Sequence, residues 1–238
     1  VATKCGYPYN EETGRPMHNL KRGTILREVE ESLGRLGVER IDLYQIHWPM
    51  PDEDVEEAYR AVADLIRDGK VRFAGVSNFS VEQMRRVAPI HPLAADQPAY
   101  SMLNRAIETE IIPYCREQEI GLLVYSPMQS GLLSGKFTRE RIASLPSGDW
   151  RLYNKQLQEP LLTRNLALVD ELSAVASDHG MTTAQLAIAW TLRLEEVTSA
   201  IVGARTPEQI EATARAGCLY LDEGLLERVD LLLAATVE

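Results

Sequence analysis

Lys4, His47, the pair Ser77 and Asn78, Gln97, the pair Tyr125 and Ser126, and the run Gly203 to Arg205 each close a short apolar run that reads as a β-strand. Between them they offer what a site for a small polar molecule needs. A lysine and a histidine can polarise an oxygen or move a proton. Ser, Asn and Gln offer the paired donors and acceptors that an amide requires. Tyr125 offers a flat face for a ring. Gly203 to Arg205 lead into a helix opened by Pro207, and a helix start carrying an arginine is a ready anion site. Singly, each has a plain alternative: a surface lysine, a satisfied core histidine, polar strand ends bonded to backbone, a packing aromatic. Six such strand ends on one rim are hard to obtain by accident.

The elements that must position these residues alternate along the chain. Strands are expected at 41–47, 71–76, 92–97, 120–125 and 198–202, and residues 1–4 read as the end of another already in progress. Helices are expected at 24–36, 52–67, 80–87, 106–118, 164–179, 183–193, 207–216 and 222–235. Gly37 is a natural helix stop and Ser80 a natural cap. The stretch 127–160 is too long for a simple connection and reads as a functional loop. Strand and helix alternating without hairpin signals imply a parallel sheet covered by helices. The count is six strand-helix units, against the eight of a closed (β/α)8 TIM barrel. A single domain over 1–238, incomplete on its N-terminal side, is therefore expected.

Composition narrows the function. The 238 residues carry 25 Lys and Arg against 35 Asp and Glu, a formal net charge of −10. Such a surface repels phosphate backbones and anionic lipid, so neither nucleic acid nor a membrane is expected as a partner. Three cysteines without a CxxC pair, and four histidines without ligand spacing, argue against a disulfide framework or a metal site and suggest a cytoplasmic setting.

Several segments resemble the aldo-keto reductase family over essentially the whole chain. They are Ala2-Thr3-Lys4, Ser32 to Val38 leading to Ile41 to Pro49, Gly75 to Phe79, Gln97, Tyr125-Ser126-Pro127 with Gly131 to Lys136, and Ile201 to Gln209. The runs are similar to the branch containing bacterial oxidoreductases and channel-associated β subunits. The resemblance implies an NADPH-dependent reduction of aldehyde or ketone carbonyls to alcohols, by hydride transfer with Tyr, Lys, His and Asp acting in acid catalysis. Lys4 and His47 match the Lys and His of that set. Ser77, Asn78 and Gln97 match the groups that hold the nicotinamide carboxamide, and Tyr125 the platform under its ring. Ser126, Leu132, Ser134 and Lys136 match the loop over the pyrophosphate. Gly203, Arg205 and Gln209 match the adenosine end, where an arginine favours the 2′-phosphate of NADP over NAD. Thr213 stands where many members carry Asn. The other function class the resemblance implies is an NADPH-binding regulatory or partner-binding subunit with little turnover. A small carbonyl compound is the expected substrate, and a homo-oligomer is left open.

The family's Asp and Tyr belong upstream of Lys4, and the sequence given begins at Val1. Tyr7 and Tyr9 follow Lys4 and are expected in loop packing or at the pocket edge. The chain taken alone is expected to be inactive and poorly stable. Trp48, Trp150 and the segment 148–154 are further candidates for shaping a substrate pocket.

Overall fold

Helix α1 (Arg22–Leu36) stops at Gly37, whose φ of 64° is left-handed and whose N–H turns back to Leu33 O. The turn aims the chain into strand β2 (Ile41–Ile46), which pairs in parallel with β1 (Ala2–Cys5). The structure is a computed structural model and describes residues 1–10 and 12–237. It divides into two compact units, Val1–Pro98 with Ile107–Leu123, and Ala99–Ala106 with Val124–Glu238.

The first unit continues with α2 (Val55–Arg67), β3 (Val71–Ser77), α3 (Val81–Val87), β4 (Ala95–Gln97), α4 (Ile111–Glu117) and β5 (Gly121–Tyr125). The strands follow one another in the sheet in chain order, and the ladders from β1 to β5 are parallel. A parallel sheet is covered on both faces, so its strands bury apolar residues on both. Ile41, Tyr44, Ile46, Val71, Ala74 and Val76 are all buried. Helix α2 buries Val55, Ala58, Tyr59, Ala61, Val62 and Leu65, one stripe at helical spacing.

Gly75 shows how tight the strand packing is. A Cβ there would stand 2.9 Å from Gln45 Cγ, 3.0 Å from Leu43 Cδ1 and 3.1 Å from Ala95 O. The last atom is backbone and cannot swing aside. Gly75→Val is expected to cost about 1–3 kcal/mol by overpacking, read as a lower urea midpoint. An unchanged midpoint would show that the sheet opens there at no cost.

The second unit holds α5 (Arg139–Ala143), α6 (Leu161–Asp178), α7 (Thr183–Thr191), β6 (Val197–Ile201), α8 (Pro207–Ala214) and α9 (Glu223–Val237). Its centre is Trp190, fully buried and 5.4 Å from the Tyr100 ring. The Arg193 guanidinium lies 3.6 Å above the Trp190 ring and donates to Tyr100 Oη at 2.8 Å. A half-buried cation is tolerable when its charge meets aromatic faces and its N–H groups meet oxygens.

Two expectations changed in detail. The helix expected over 106–118 is a 3-10 turn, Ala106–Glu108, followed by α4 from Ile111. Pro113 is the cause: it has no N–H, and its ring clashes with the carbonyl four residues back, so it fits only the first turn of a new helix. The long segment 127–160 is not plain loop but carries 3-10 turns at Gln129–Ser134, Trp150–Tyr153 and Lys155–Leu157, with α5 between. No described helix is long and apolar enough to cross a membrane.

Candidate active site

Parallel pairing puts the carboxyl ends of β1 to β4 side by side, and with them five of the sequence candidates. His47 N donates to Cys5 O at 2.9 Å, one residue beyond Lys4. Asn78 Nδ2 donates to His47 O at 3.1 Å and to Ser77 Oγ at 3.0 Å. Ser77 Oγ in turn donates to Gln97 O at 2.7 Å, and Gln97 Nε2 to Gln45 Oε1 at 3.1 Å. Lys4, His47, Ser77, Asn78 and Gln97 therefore occupy one continuous rim of the first unit. Ser77 and Gln97 make the backbone and side-chain bonds expected of polar strand ends, which fixes their rotamers. Asn78 takes a left-handed φ of 62°, a conformation that asparagine tolerates better than most residues. It lets the chain turn from β3 to Ser80, whose hydroxyl caps α3 in a reciprocal box with Gln83.

The electrostatics suit neutral imidazole. Burial, then the charges of Lys4 and His18, hold the His47 pKa below its ordinary value. Burial also lowers Lys4. His47 is thus neutral at pH 7 and can donate or accept a hydrogen bond.

Rings surround His47. Tyr7 meets it edge-on at 5.4 Å, and Trp48 stacks beside it at 6.0 Å with planes 16° apart. His18 closes the group, 4.7 Å from Tyr7 and 6.4 Å from Trp48. Tyr7 and Trp48 thus stand in ring contact with His47. His18 was not singled out in the sequence, because it lies in the loop after β1 with no motif around it. The fold alone brings it here.

Asp96 was also missed. It is fully buried in β4, and neither carboxyl oxygen has a hydrogen-bond partner among the described residues. Burial pushes its pKa up to about 8, against a smaller opposing pull from the Gln97 and Phe79 backbone N–H groups. Those N–H groups act on it electrostatically without a bond of full geometry. The neighbouring Cys115 thiol is raised to about 12, by burial and then by the Asp96 charge.

The remaining candidates belong to the second unit. The segment after Tyr125 is rich in left-handed backbone: Ser126, Gln129, Ser130, Gly131 and Gly135 all have positive φ. Gly131 requires its hydrogen, since a Cβ would lie 2.9 Å from the Phe137 ring. Ser134 Oγ donates to Gly131 O at 2.6 Å, and Asn154 Nδ2 to Ser130 Oγ at 3.2 Å, which braces the loop. Leu132 is fully buried, backbone included. Lys136 is exposed, and its carbonyl accepts from Arg141 Nη1 at 3.0 Å. Tyr125 is half-buried, with its carbonyl accepting from Tyr100 N at 3.1 Å.

Gly203, Arg205 and Gln209 gather at the start of α8. Arg205 N donates to Gln209 Oε1 at 2.8 Å, and the Thr206 hydroxyl caps the helix by accepting from Gln209 N. Gly203 and the Arg205 side chain are exposed. Arg205 and Arg151 both act on Asp149, whose pKa falls to about 2, chiefly through the Arg151 hydrogen bonds. Arg151, bound at both ends of that carboxylate, has its charge already committed. Among the described residues no three metal-ligating side chains come together. Trp150 is exposed and belongs to the second unit.

Comparison with known proteins places this geometry in a family. The chain is 39% identical over 216 residues to the aldo-keto reductase YhdN of Bacillus subtilis, covering 89% of this chain and 63% of that protein. It is 31% identical over 227 residues to the NADH-specific methylglyoxal reductase of Escherichia coli, covering 91% and 68%. The chain therefore spans just under two thirds of the first of these relatives and about two thirds of the second. Among solved structures, the glycerol dehydrogenase AKR11B4 of Gluconobacter oxydans superposes with a TM-score of 0.91 at 36% identity, over 100% of this chain and 72% of its own. The six strands are thus the parallel strands of a TIM barrel. The sequence model of the aldo/keto reductase family matches residues 1–234, and the chain belongs to that family.

Proposed function

We propose that the protein reduces aldehyde or ketone carbonyls of small molecules to alcohols, with NADPH as the reductant. The observation that carries the reading is the unbroken rim from Lys4 through His47 and Asn78 to Ser77 and Gln97. NADPH supplies the hydride when bound. A carbonyl accepting hydride gathers negative charge on oxygen, and catalysis needs donors aimed at that oxygen beforehand. Neutral His47 donates a hydrogen bond to it. The Lys4 ammonium, half-buried at the end of β1, adds a positive field there.

The donor set fits the cofactor. Ser77, Asn78 and Gln97 combine hydroxyl and amide groups suited to a carboxamide, and Tyr125 offers a face for a ring. The polar loop from Ser126 to Lys136 is the segment assigned to the pyrophosphate. Ser126 and Ser134 add hydroxyls, and Lys136 a charge. At α8 the exposed Arg205 suits a 2′-phosphate, with Gln209 and the open backbone at Gly203 beside the adenosine.

Arg205 decides between the two nicotinamide cofactors, an open matter since one similar protein is named NADH-specific. Arg205→Ala is expected to raise the KM for NADPH about 10- to 100-fold, the worth of a charge-assisted hydrogen bond. The KM for NADH should change by less than about twofold, because NADH has no 2′-phosphate. Equal effects on both cofactors would remove Arg205 from the phosphate site. The overall reading is tested by following NADPH absorbance with a panel of short aldehydes. Tight NADPH binding without any turnover would transfer the protein to the regulatory-subunit class.

A further inference from the structure

We infer that His18 is a specificity-determining residue, which reads a hydroxyl group on the carbon next to the substrate carbonyl. The inference rests on the carbonyl-reductase reading above and concerns the same rim. Four rings form a closed circuit: Tyr7 to His18 at 4.7 Å, His18 to Trp48 at 6.4 Å, Trp48 to His47 at 6.0 Å, and His47 to Tyr7 at 5.4 Å. Two of the four, at opposite corners, are imidazoles. His47 serves the carbonyl oxygen. The second polar corner stands across the circuit from His47, the position assigned here to a substituent next to that carbonyl.

His18 has a polar edge to offer. Its Nδ1 is shut away from solvent and has no hydrogen-bond partner among the described residues. Among the described residues no hydrogen bond is made to its other nitrogen, Nε2, and that atom is not among the shut-away ones. A proton on Nδ1 would be a buried donor with nothing to meet, so the neutral ring carries its proton on Nε2. That N–H is a donor held on the accessible side of the ring. The rings of Tyr7 and Trp48 fix the imidazole on two sides, so little freedom is lost when it binds. The pairing of apolar ring faces with one donor favours a hydroxylated carbon skeleton over a plain alkyl chain. Faces cover C–H groups, and the donor rewards an oxygen at one position.

The test compares D-glyceraldehyde with propanal, which share a three-carbon aldehyde and differ in hydroxyl groups. It uses the intact protein and two variants, His18→Phe and His18→Gln. Phe keeps the ring packing and removes both nitrogens; Gln returns an N–H near the position of Nε2. His18→Phe should lower kcat/KM for glyceraldehyde about tenfold more than for propanal, and mainly through KM. His18→Gln should recover part of that preference. Equal losses on both substrates, or a loss confined to kcat, would overturn the inference and leave His18 a packing residue. If the unmodified protein reduces neither aldehyde with NADPH or NADH, the carbonyl-reductase reading falls and this inference with it. Turnover of both by the unmodified protein, with no change in preference in His18→Phe, overturns the inference alone.

Discussion

Lys4→Met is expected to lower carbonyl reduction by about 10²- to 10⁴-fold, the range lost when a positioned proton-transfer or charge-stabilising group is removed. Methionine keeps most of the lysine stem, so the half-buried packing at the end of β1 survives while the ammonium goes. Removing a desolvated charge should leave the thermal midpoint unchanged or slightly raised, which separates a chemical effect from an unfolded one. NADPH binding, followed by quenching of protein fluorescence, should persist. His47→Gln should produce a smaller loss, because Gln retains a donor near the same place. Turnover in Lys4→Met within about threefold of the parent would remove Lys4 from the chemistry, since that is under 1 kcal/mol of barrier.

Asp96→Asn is expected to raise stability at alkaline pH, against the usual cost of a change at a buried polar site. Asp96 lies fully buried with unbonded oxygens, and its pKa in the folded protein is about 8. In the unfolded chain an aspartate titrates near its ordinary value, about 3.9. The folded state therefore holds the proton more tightly. Its stabilising contribution is complete below the unfolded value and is lost as pH rises toward 8. The full difference corresponds to about 5 kcal/mol. Asparagine cannot ionise but leaves a buried amide to satisfy, which returns about 1–3 kcal/mol. The variant should thus be more stable than the parent by about 2–4 kcal/mol at pH 9 and no better at pH 4. Urea midpoints at both pH values decide it. A constant difference between the two proteins across that range would mean that Asp96 does not titrate there.

Much of the fold and part of the site were legible because they depend on local chemistry. Gly37 stops α1 since only a left-handed residue turns the chain there, and Ser80 caps α3 through its own side chain. Pro207 opens α8 with Thr206 as its cap. The strand-end residues Lys4, His47, Ser77, Asn78 and Gln97 were found because strand ends can be located from apolar runs. The misreadings share one cause, competition that apolar periodicity does not register. The stripe over 106–118 looks continuous, yet Pro113 forbids a single helix. The short turns inside 127–160 rest on side-chain caps, such as Asp149 on Arg151 N and Asn154 on Gln156 N, rather than on a stripe. His18 and Asp96 were hidden for a different reason. Nothing in the few residues around either one signals its role, which comes from neighbours far away in sequence: His18 meets Trp48, and Asp96 acts on Cys115.

The chain-order sheet also bears on how the protein assembles during synthesis. Each strand from β2 to β5 pairs with the one made just before it, over separations from 41 residues, Ala2 to Leu43, down to 20, Gly75 to Ala95. No ladder among these strands waits for a distant segment to emerge. The newest strand always finds its template already in place, so the sheet can lengthen by one strand at a time as the ribosome releases it. The exposed edge moves forward with the growing chain, and a pause in translation would leave a freshly made strand as that edge, the moment of greatest risk for pairing with another molecule.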